Sequence, residues 1–211
     1  MFRQLIAGAA AAVIALTGVK SGQHRPDEFF HAEGGAIVSP AGETAVLRGM
    51  GFGNNVWVSS QADIGFHHNE DSFREMSELG FNSVRFLLNY RWFEDDENPY
   101  VYKQEGFDYI NRSIAWAKKY NIGLVLNMHY PQGGYQSQGN GTALWTDPEN
   151  QRRLVKLWGE IARRYADEPA IQGYGLINEP VVPELGSAAE TVGQCQRLMQ
   201  RCTDEIRSFT S

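Results

Sequence analysis

Short apolar runs alternate with longer amphipathic stretches along most of the chain. Each apolar run is followed by a stretch in which apolar residues recur every three or four positions, the spacing of one helix face. The runs lie at residues 45–50, 82–88, 124–128 and 171–177. Because strands covered on both faces read as continuous apolar runs, this pattern predicts four parallel β-α units. Residues 36–38 and the turn at 39–42 predict a small hairpin before the first unit.

The helices are predicted from apolar stripes and from start and stop signals. Asp147, Pro148 and Glu149 give the clearest start: a capping side chain, a proline in the first turn and an acid near the positive helix end. Gly80 is the predicted stop of the first helix. The stripes comprise Phe73, Met76 and Leu79; Ile110, Ile114 and Ala117; Leu154, Leu157, Trp158, Ile161, Ala162 and Tyr165; and Ala189, Val192, Cys195, Met199, Cys202 and Ile206.

One long connection precedes Asp147 and has no apolar stripe. Residues 130–146 are polar and rich in glycine. Loops of this length inside a compact domain are uncommon unless they serve a function. We therefore predict a functional loop that does not pack as core.

Composition and spacing exclude several classes of protein. The chain has 211 residues, 42% of them hydrophobic, and 19 Lys and Arg against 25 Asp and Glu. A net charge of -6 without a basic stripe in the mature region argues against nucleic acid as a partner. Cys195 and Cys202 fall on one predicted helix about 10.5 Å apart along its axis, too far for a disulfide. His67 and His68 have no matching ligand spacing, so no metal is predicted, and residues 49–53 lack the spacing of a dinucleotide loop.

The first residues read as a targeting segment. Arg3 precedes an apolar, alanine-rich run at 5–16, and small and polar residues follow at 17–22. This order predicts a secretory signal over residues 1–22 and a single domain over 23–211. The apolar run is shorter than the ~20 residues that span a bilayer, so a permanent anchor is the weaker alternative. We expect a secreted or periplasmic protein with no membrane association after the signal is removed.

Polar residues fall where the predicted strands end. Arg85 interrupts the second strand, His129 ends the third, and Asn178 and Glu179 end the fourth before Pro180. Proline has no N–H group and cannot continue a central strand. The tips of neighbouring strands converge on one pocket in a barrel, so this placement favours a closed barrel. An open doubly wound sheet is the alternative, and it would leave these side chains far apart.

Five short stretches after residue 22 carry a family resemblance. They are Leu-Arg-Gly-Met-Gly at 47–51, Gly-Phe-Asn-Ser-Val-Arg-Phe at 80–86, Asn-Met-His-Tyr at 127–130, the helix segment at 158–165, and Ile-Asn-Glu-Pro at 177–180. In this order they make the chain similar to the N-terminal half of glycoside hydrolase family 5, the cellulase family of secreted barrels. The resemblance implies an α/β fold: a TIM (β/α)8-type barrel, truncated to about its first four β-α units. The C-terminal half, with the family's nucleophilic glutamate on the seventh strand, is expected outside this chain.

The resemblance also implies a reaction and a role for each polar residue at a strand tip. The expected activity is that of a retaining glycoside hydrolase acting on a polysaccharide or oligosaccharide, as an endo-β-1,4-glucanase without a cofactor. Glu179 corresponds to the acid/base, Asn178 to the residue that contacts the sugar 2-hydroxyl, Arg85 to the arginine beside the nucleophile, and His129 to a substrate contact. The alternatives are mannan, β-1,3-glucan or a glycolipid as substrate, or a non-catalytic carbohydrate-binding remnant.

Aromatic residues in the predicted loops are candidate sugar platforms. Sugar rings have flat apolar faces, which suit aromatic rings bordered by hydrogen-bonding groups. Tyr90 and Trp145 are the first choices, although loop aromatics also pack locally. The full set is Trp57, Tyr90, Trp92, Tyr130, Tyr135 and Trp145.

Overall fold

The computed structural model describes residues 29–56, 68–184 and 186–210. Within these ranges, four parallel strands form one sheet in the order β3-β4-β5-β6. The strands are β3 (Gly49–Phe52), β4 (Ser83–Asn89), β5 (Gly123–Tyr130) and β6 (Ile171–Gly175). Each strand pairs with the next one along the chain, whereas a doubly wound sheet reverses its order at a switch point. The predicted series of β-α units is confirmed.

The hairpin before the sheet differs in part from the prediction. Strand β2 (Ala36–Val38) pairs with an earlier strand, β1 (His31–Glu33), in antiparallel register. On its other side, the Ala45 N–H donates to the Ile37 carbonyl at 2.8 Å. The segment predicted as the first strand therefore begins in contact with β2 and joins the parallel sheet only at Gly49.

Asn82 explains why β3 starts late. Its side-chain oxygen accepts from the Arg48 N–H at 2.7 Å, and its side-chain nitrogen donates to the Val46 carbonyl at 2.9 Å. These bonds use backbone groups of residues 46–48 that a ladder would otherwise need. The pattern of apolar residues does not reveal that an asparagine side chain takes the place of strand-to-strand hydrogen bonds here.

Five α-helices lie in the described ranges. They are α1 (Glu70–Glu78), α2 (Gln104–Tyr120), α3 (Thr142–Thr146), α4 (Pro148–Arg164) and α5 (Ala188–Arg207). None of the helices seen in these ranges is both long and apolar enough to cross a membrane. The proposed signal at residues 1–22, together with Trp57 and His67, lies outside the described residues.

The predicted stripes are buried where a partner covers them. All six stripe residues of α4 are buried, and Asp147 caps this helix by accepting from the Glu149 N–H at 2.9 Å. Leu79 is 75% exposed because it is the C-cap of α1, past the last packed turn. Val192 is 56% exposed, and the buried residues of α5 lie in its second half, where Leu198 joins them.

The two faces of the sheet have different environments. Val84, Phe86 and Leu88 of β4 are fully buried on the helix side, where the Phe86 ring packs against Tyr109 of α2 at 5.1 Å between centroids. Because side chains alternate along a strand, Arg85 and Leu87 lie on the opposite, inner face. This alternation places the polar residues of β4 and β5 together on the inner face.

The end of α2 offers a test of local backbone strain. Asn121 caps this helix in the left-handed conformation, with φ 54° and ψ 47°. Left-handed backbone costs an ordinary L-residue about 1–2 kcal/mol, and Asn and Gly tolerate it best. We expect Asn121→Ala to lower the free energy of unfolding by about 1 kcal/mol, measured by urea denaturation. Asn121→Gly is the matched control and should match or exceed the parent; equal losses in both variants would contradict the strain argument.

Candidate active site

The strand register brings three inner-face residues into one row. Arg85 of β4 pairs in register with Val125, and Leu87 pairs with Asn127 of β5, whose own partner on β6 is Gly175. His129 is two residues beyond Asn127 and so faces the same side. The inner-face row of Arg85, Asn127 and His129 therefore runs across β4 and β5, and Gly175 of β6 lies beside Asn127.

The segment after β6 is held against its neighbours beyond the last strand residue. The Asn178 N–H donates to the Met128 carbonyl at 3.0 Å, continuing the contact with β5. The Trp158 indole N–H of α4 donates to the Leu176 carbonyl at 3.0 Å. Asn178 and Glu179 therefore lie just past the tip of β6, beside the inner-face row, as the sequence predicted.

Arg85 is hydrogen-bonded to two asparagines. Its Nη2 donates to Asn127 Oδ1 at 2.9 Å and to Asn178 Oδ1 at 2.6 Å. No carboxylate of the described residues pairs with it. The Arg85 residue is exposed on the inner face, where water can solvate its charge.

Asn127 links the strands beneath Arg85. Its Nδ2 donates to the Gly175 carbonyl at 3.1 Å, while its Oδ1 accepts from Arg85. A Cβ at Gly175 would lie 2.5 Å from Asn127 Nδ2, so a side chain there would displace the amide. Asn178 is buried with its Oδ1 on Arg85, and its Nδ2 donates to no atom of the described residues. The amide of Asn178 is thus held in place through its oxygen, while its nitrogen is buried.

Glu179 has an unusual backbone and one side-chain partner. Its φ of 39° is in the left-handed region, which is uncommon for a residue with a side chain and recurs at functional sites. The Ser137 hydroxyl donates to Glu179 Oε2. The carboxyl group is exposed, in contrast to the buried surroundings expected of an acid catalyst.

His129 is buried between the charges of the site. Its ring stacks with Tyr135 at 5.8 Å between centroids, and Tyr135 stacks with Tyr130 at 6.2 Å. Burial is the largest cause that lowers the pKa of His129, the Arg85 charge adds to it, and the Glu179 charge acts in the opposite direction; together they bring the pKa to about 4. His129 is therefore neutral above about pH 5, and both Arg85 and Glu179 lie within electrostatic reach of it.

The lowered pKa of His129 predicts a pH-dependent stability. The unfolded chain has the ordinary histidine pKa near 6.5, so between about pH 6.5 and 4 the unfolded state binds more protons than the folded state. Stability should therefore be lost as the pH falls through this window. We expect His129→Gln to lose less stability than the parent between pH 7 and pH 4.5, measured by urea denaturation at each pH. Parallel losses in both proteins would show that His129 contributes nothing to the slope.

Three of the predicted platforms are core residues. Tyr90, Trp92 and Trp145 are buried and present no open ring face for a sugar. The Tyr90 hydroxyl donates to Asp96 at 2.9 Å, and the Trp92 ring packs edge-on against Tyr109. These three rings therefore pack locally, which is the alternative to a role as sugar platforms.

Tyr130 and Tyr135 remain as platform candidates. Both rings are half-buried and lie next to His129. They stack nearly parallel, with 25° between their planes. Of the five platform candidates within the described ranges, these two adjoin the inner-face row.

The connection at 130–146 is also more compact than the sequence predicted. It contains the one-turn helix Ser137–Gly139 and the helix α3, and its Leu144 and Trp145 are buried. Gln136 is fully buried, and its Oε1 accepts from the Trp145 indole N–H at 2.6 Å. A polar, glycine-rich segment can pack as core because its own amide side chain satisfies the buried groups.

Two residues of the site, Asn127 and Ser137, are not among those predicted from the sequence. Asn127 is recognisable as the polar residue in an otherwise apolar strand. Ser137 gives no such signal, because a serine among glycines and glutamines is typical of any loop.

The histidine pair is described only in part, because His67 lies outside the described residues. The His68 ring stacks on Phe52 at 3.8 Å between centroids. Cys195 and Cys202 are both free thiols.

Comparisons with known proteins agree with this architecture. Endoglucanase C of Acetivibrio thermocellus is 33% identical over 160 residues, which cover 74% of this chain and 45% of that protein. A beta-xylosidase of Phanerodontia chrysosporium is 32% identical over 192 residues, covering 74% of this chain and 40% of that protein. The chain thus spans less than half the length of these curated relatives.

Solved structures share the fold at lower identity. Endo-glycoceramidase II from Rhodococcus sp., solved as a lactosyl-enzyme intermediate, superposes with a TM-score of 0.69 at 22% identity. The match covers 83% of this chain and 50% of that structure. At this identity the likeness concerns the fold, and it identifies the sheet as four β-α units of a TIM-type barrel.

A family model also matches most of the chain. The model described as Cellulase (glycosyl hydrolase family 5) aligns with residues 38–211, which include all four strands of the sheet and the residues from Arg85 to Glu179. The chain belongs to glycosyl hydrolase family 5, the cellulase family.

Proposed function

We propose that this chain forms the acid/base side of a retaining β-glycosidase site, with Glu179 as the acid/base residue. The observation that carries the proposal is the position of Glu179. It follows β6 directly after Asn178, whose side chain is bonded to Arg85 at 2.6 Å, and it lies within electrostatic reach of His129. In TIM-type barrels, catalytic residues come from the ends of several different strands. Membership of family 5 supports β-glycosides as the substrate class.

In the proposed first step, Glu179 protonates the glycosidic oxygen as its bond to the sugar breaks. The same carboxylate then takes a proton from water in the second step. We infer that Asn178 contacts the sugar 2-hydroxyl, a contact that strengthens in the transition state. His129 is neutral at working pH, so it contacts hydroxyl groups without adding a charge.

A second carboxyl group is needed for a retaining mechanism. Retaining enzymes place the nucleophile about 5 to 5.5 Å from the acid/base group. No carboxylate of the described residues pairs with Arg85, and the curated relatives are about twice as long as the matched region. We infer that the nucleophile comes from a region of the full-length protein beyond this half of the site, and that Arg85 holds it ionised.

We propose β-1,4-glucan as the substrate. The name of the relative at 33% identity, Endoglucanase C, supports this choice. The stacked pair Tyr130 and Tyr135 supplies half-buried aromatic faces next to His129, as binding of successive glucose rings requires.

We also propose that residues 1–22 are an export signal. A β-1,4-glucan chain is too large to enter a cell, so an enzyme that hydrolyses it has to be exported. N-terminal sequencing of protein from the culture medium tests this proposal.

The substrate proposal is tested by turnover and binding together. The 211-residue chain and the full-length protein are each incubated with carboxymethyl-cellulose, mannan, β-1,3-glucan and a glycolipid, and new reducing ends are counted. We expect the full-length protein to release them fastest from carboxymethyl-cellulose. Faster release from another polymer would replace the proposed substrate. Binding of carboxymethyl-cellulose by both proteins without turnover by either would favour a carbohydrate-binding protein instead.

A further inference from the structure

We propose that Ser137 is a positioning residue that holds the Glu179 carboxyl group in its working orientation. The inference rests on the proposed function and deepens it. The Ser137 side chain is 7% exposed and its hydroxyl donates to Glu179 Oε2, whereas Glu179 itself is exposed. An exposed glutamate loses side-chain entropy when it is held in one conformation, so a fixed partner is needed to hold it.

Ser137 is itself fixed by a buried amide next to it in the chain. Gln136 is fully buried, and its Nε2 donates to the carbonyls of Gly134 and Gly141 at 3.0 Å each. Its Oε1 accepts from the Trp145 indole N–H at 2.6 Å. A Cβ at Gly141 would lie 1.8 Å from Gln136 Nε2, so a side chain at that position would break the arrangement. The hydroxyl is therefore presented by a rigid loop.

The same loop is tied to the helix that follows Glu179. Gln194 of α5 donates through its Nε2 to the Trp145 carbonyl at 2.9 Å. On the other side of Glu179, the Asn178 N–H is bonded to Met128 of β5 at 3.0 Å. Glu179 thus has one fixed point at Asn178, directly before it in the chain, and a second at Ser137.

This arrangement assigns different tasks to the two carboxyl oxygens. Oε2 is occupied by Ser137, so Oε1 is the oxygen left to face the glycosidic oxygen. When the glycosidic bond breaks, its electron pair goes to the leaving oxygen, and the proton on Oε1 moves to that oxygen. The carboxylate that remains keeps the Ser137 hydrogen bond, and bonds to charged groups are stronger than neutral ones.

The test compares two substrates that differ in their need for a proton. We expect Ser137→Ala in the full-length protein to lower kcat/KM on cellotetraose about tenfold to hundredfold, the loss of a hydrogen bond to a charged group. On 2,4-dinitrophenyl β-cellobioside, whose leaving group departs without protonation, kcat/KM should stay within about twofold. KM for cellotetraose should be unchanged. Ser137→Thr retains the hydroxyl and should restore most of the cellotetraose rate, whereas Ser77→Ala, in helix α1, is the matched control.

The outcomes separate this inference from the proposed function. An equal loss on both substrates would mean that Ser137→Ala damages the fold, and it would overturn the positioning role. So would an unchanged rate on cellotetraose in a protein that Glu179→Gln inactivates. If Glu179→Gln leaves cellotetraose hydrolysis intact, the proposed function itself is wrong and the inference falls with it.

Discussion

Replacing Glu179 by Gln is expected to lower kcat/KM on carboxymethyl-cellulose about 10²- to 10⁴-fold in the full-length protein, the contribution of a general acid/base. The amide has nearly the same shape as the carboxyl group, but it can neither give a proton to the glycosidic oxygen nor take one from water. Because Arg85 and Asn178 are bonded to each other and not to Glu179, the substitution leaves their contact intact. Initial rates of reducing-end release measure the effect.

The substrate dependence of this loss distinguishes acid catalysis from damage to the site. On 2,4-dinitrophenyl β-cellobioside the first step needs no proton, so Glu179→Gln should keep a kcat/KM close to that of the parent. In Glu179→Ala, azide should enter in place of water and accelerate turnover, because an anionic nucleophile needs no base. Glu97→Gln, an exposed acid with no ion pair in the described residues, is the control and should behave as the parent. A uniform loss on all substrates would refute the acid/base assignment.

Replacing Arg153 by Met should destabilise the fold by about 3–5 kcal/mol, the cost of leaving a buried charge without its partner. Glu94 is fully buried, and its Oε1 accepts from Arg153 Nε at 3.1 Å and from Gln132 Nε2 at 2.6 Å. Its Oε2 accepts from the Tyr100 N–H at 2.9 Å, and Arg153 Nη1 reaches Asp96 at 2.9 Å. Met retains the unbranched apolar stem of the side chain but removes the charge and every donor. Urea denaturation measures the change.

The neighbouring arginine is a matched control for this substitution. Arg152 precedes Arg153 on α4 and pairs with Glu149, but both side chains are exposed to water. Exposed ion pairs contribute little, so Arg152→Met should leave the urea midpoint nearly unchanged. In a Glu94→Gln background, the cost of Arg153→Met should shrink, because no buried negative charge is then left unpaired. Equal shifts of the urea midpoint in Arg152→Met and Arg153→Met would show that burial of the Arg153–Glu94 pair does not determine the loss of stability.

The series of β-α units and the polar residues at the strand tips could be predicted from the sequence. The apolar runs indicate strands, and Arg85, His129 and Asn178 interrupt or end three of them. Alternation along a strand then places such residues on the inner face together. These features depend on the local sequence pattern and on the general geometry of parallel strands, so they can be predicted without a structure.

The environment of single side chains could not be predicted in this way. Tyr90 and Trp145 lie in segments predicted as loops, where the pattern indicates nothing about burial. The polar atom of each can be buried because a nearby residue accepts its hydrogen bond: Asp96 for Tyr90 and Gln136 for Trp145. The exposure of Arg85 likewise depends on which elements cover the inner face, and no local pattern encodes that.

The order of the sheet bears on how the protein forms during synthesis. Each of the strands β4, β5 and β6 pairs with the strand that precedes it in the chain, and a helical connection joins the two. The sheet can therefore grow one strand at a time as the ribosome releases the chain, and no strand has to wait for a distant segment. In that sequence of events the amide of Asn127 is already in place when Asn178 arrives, so the pocket is assembled in the direction of translation.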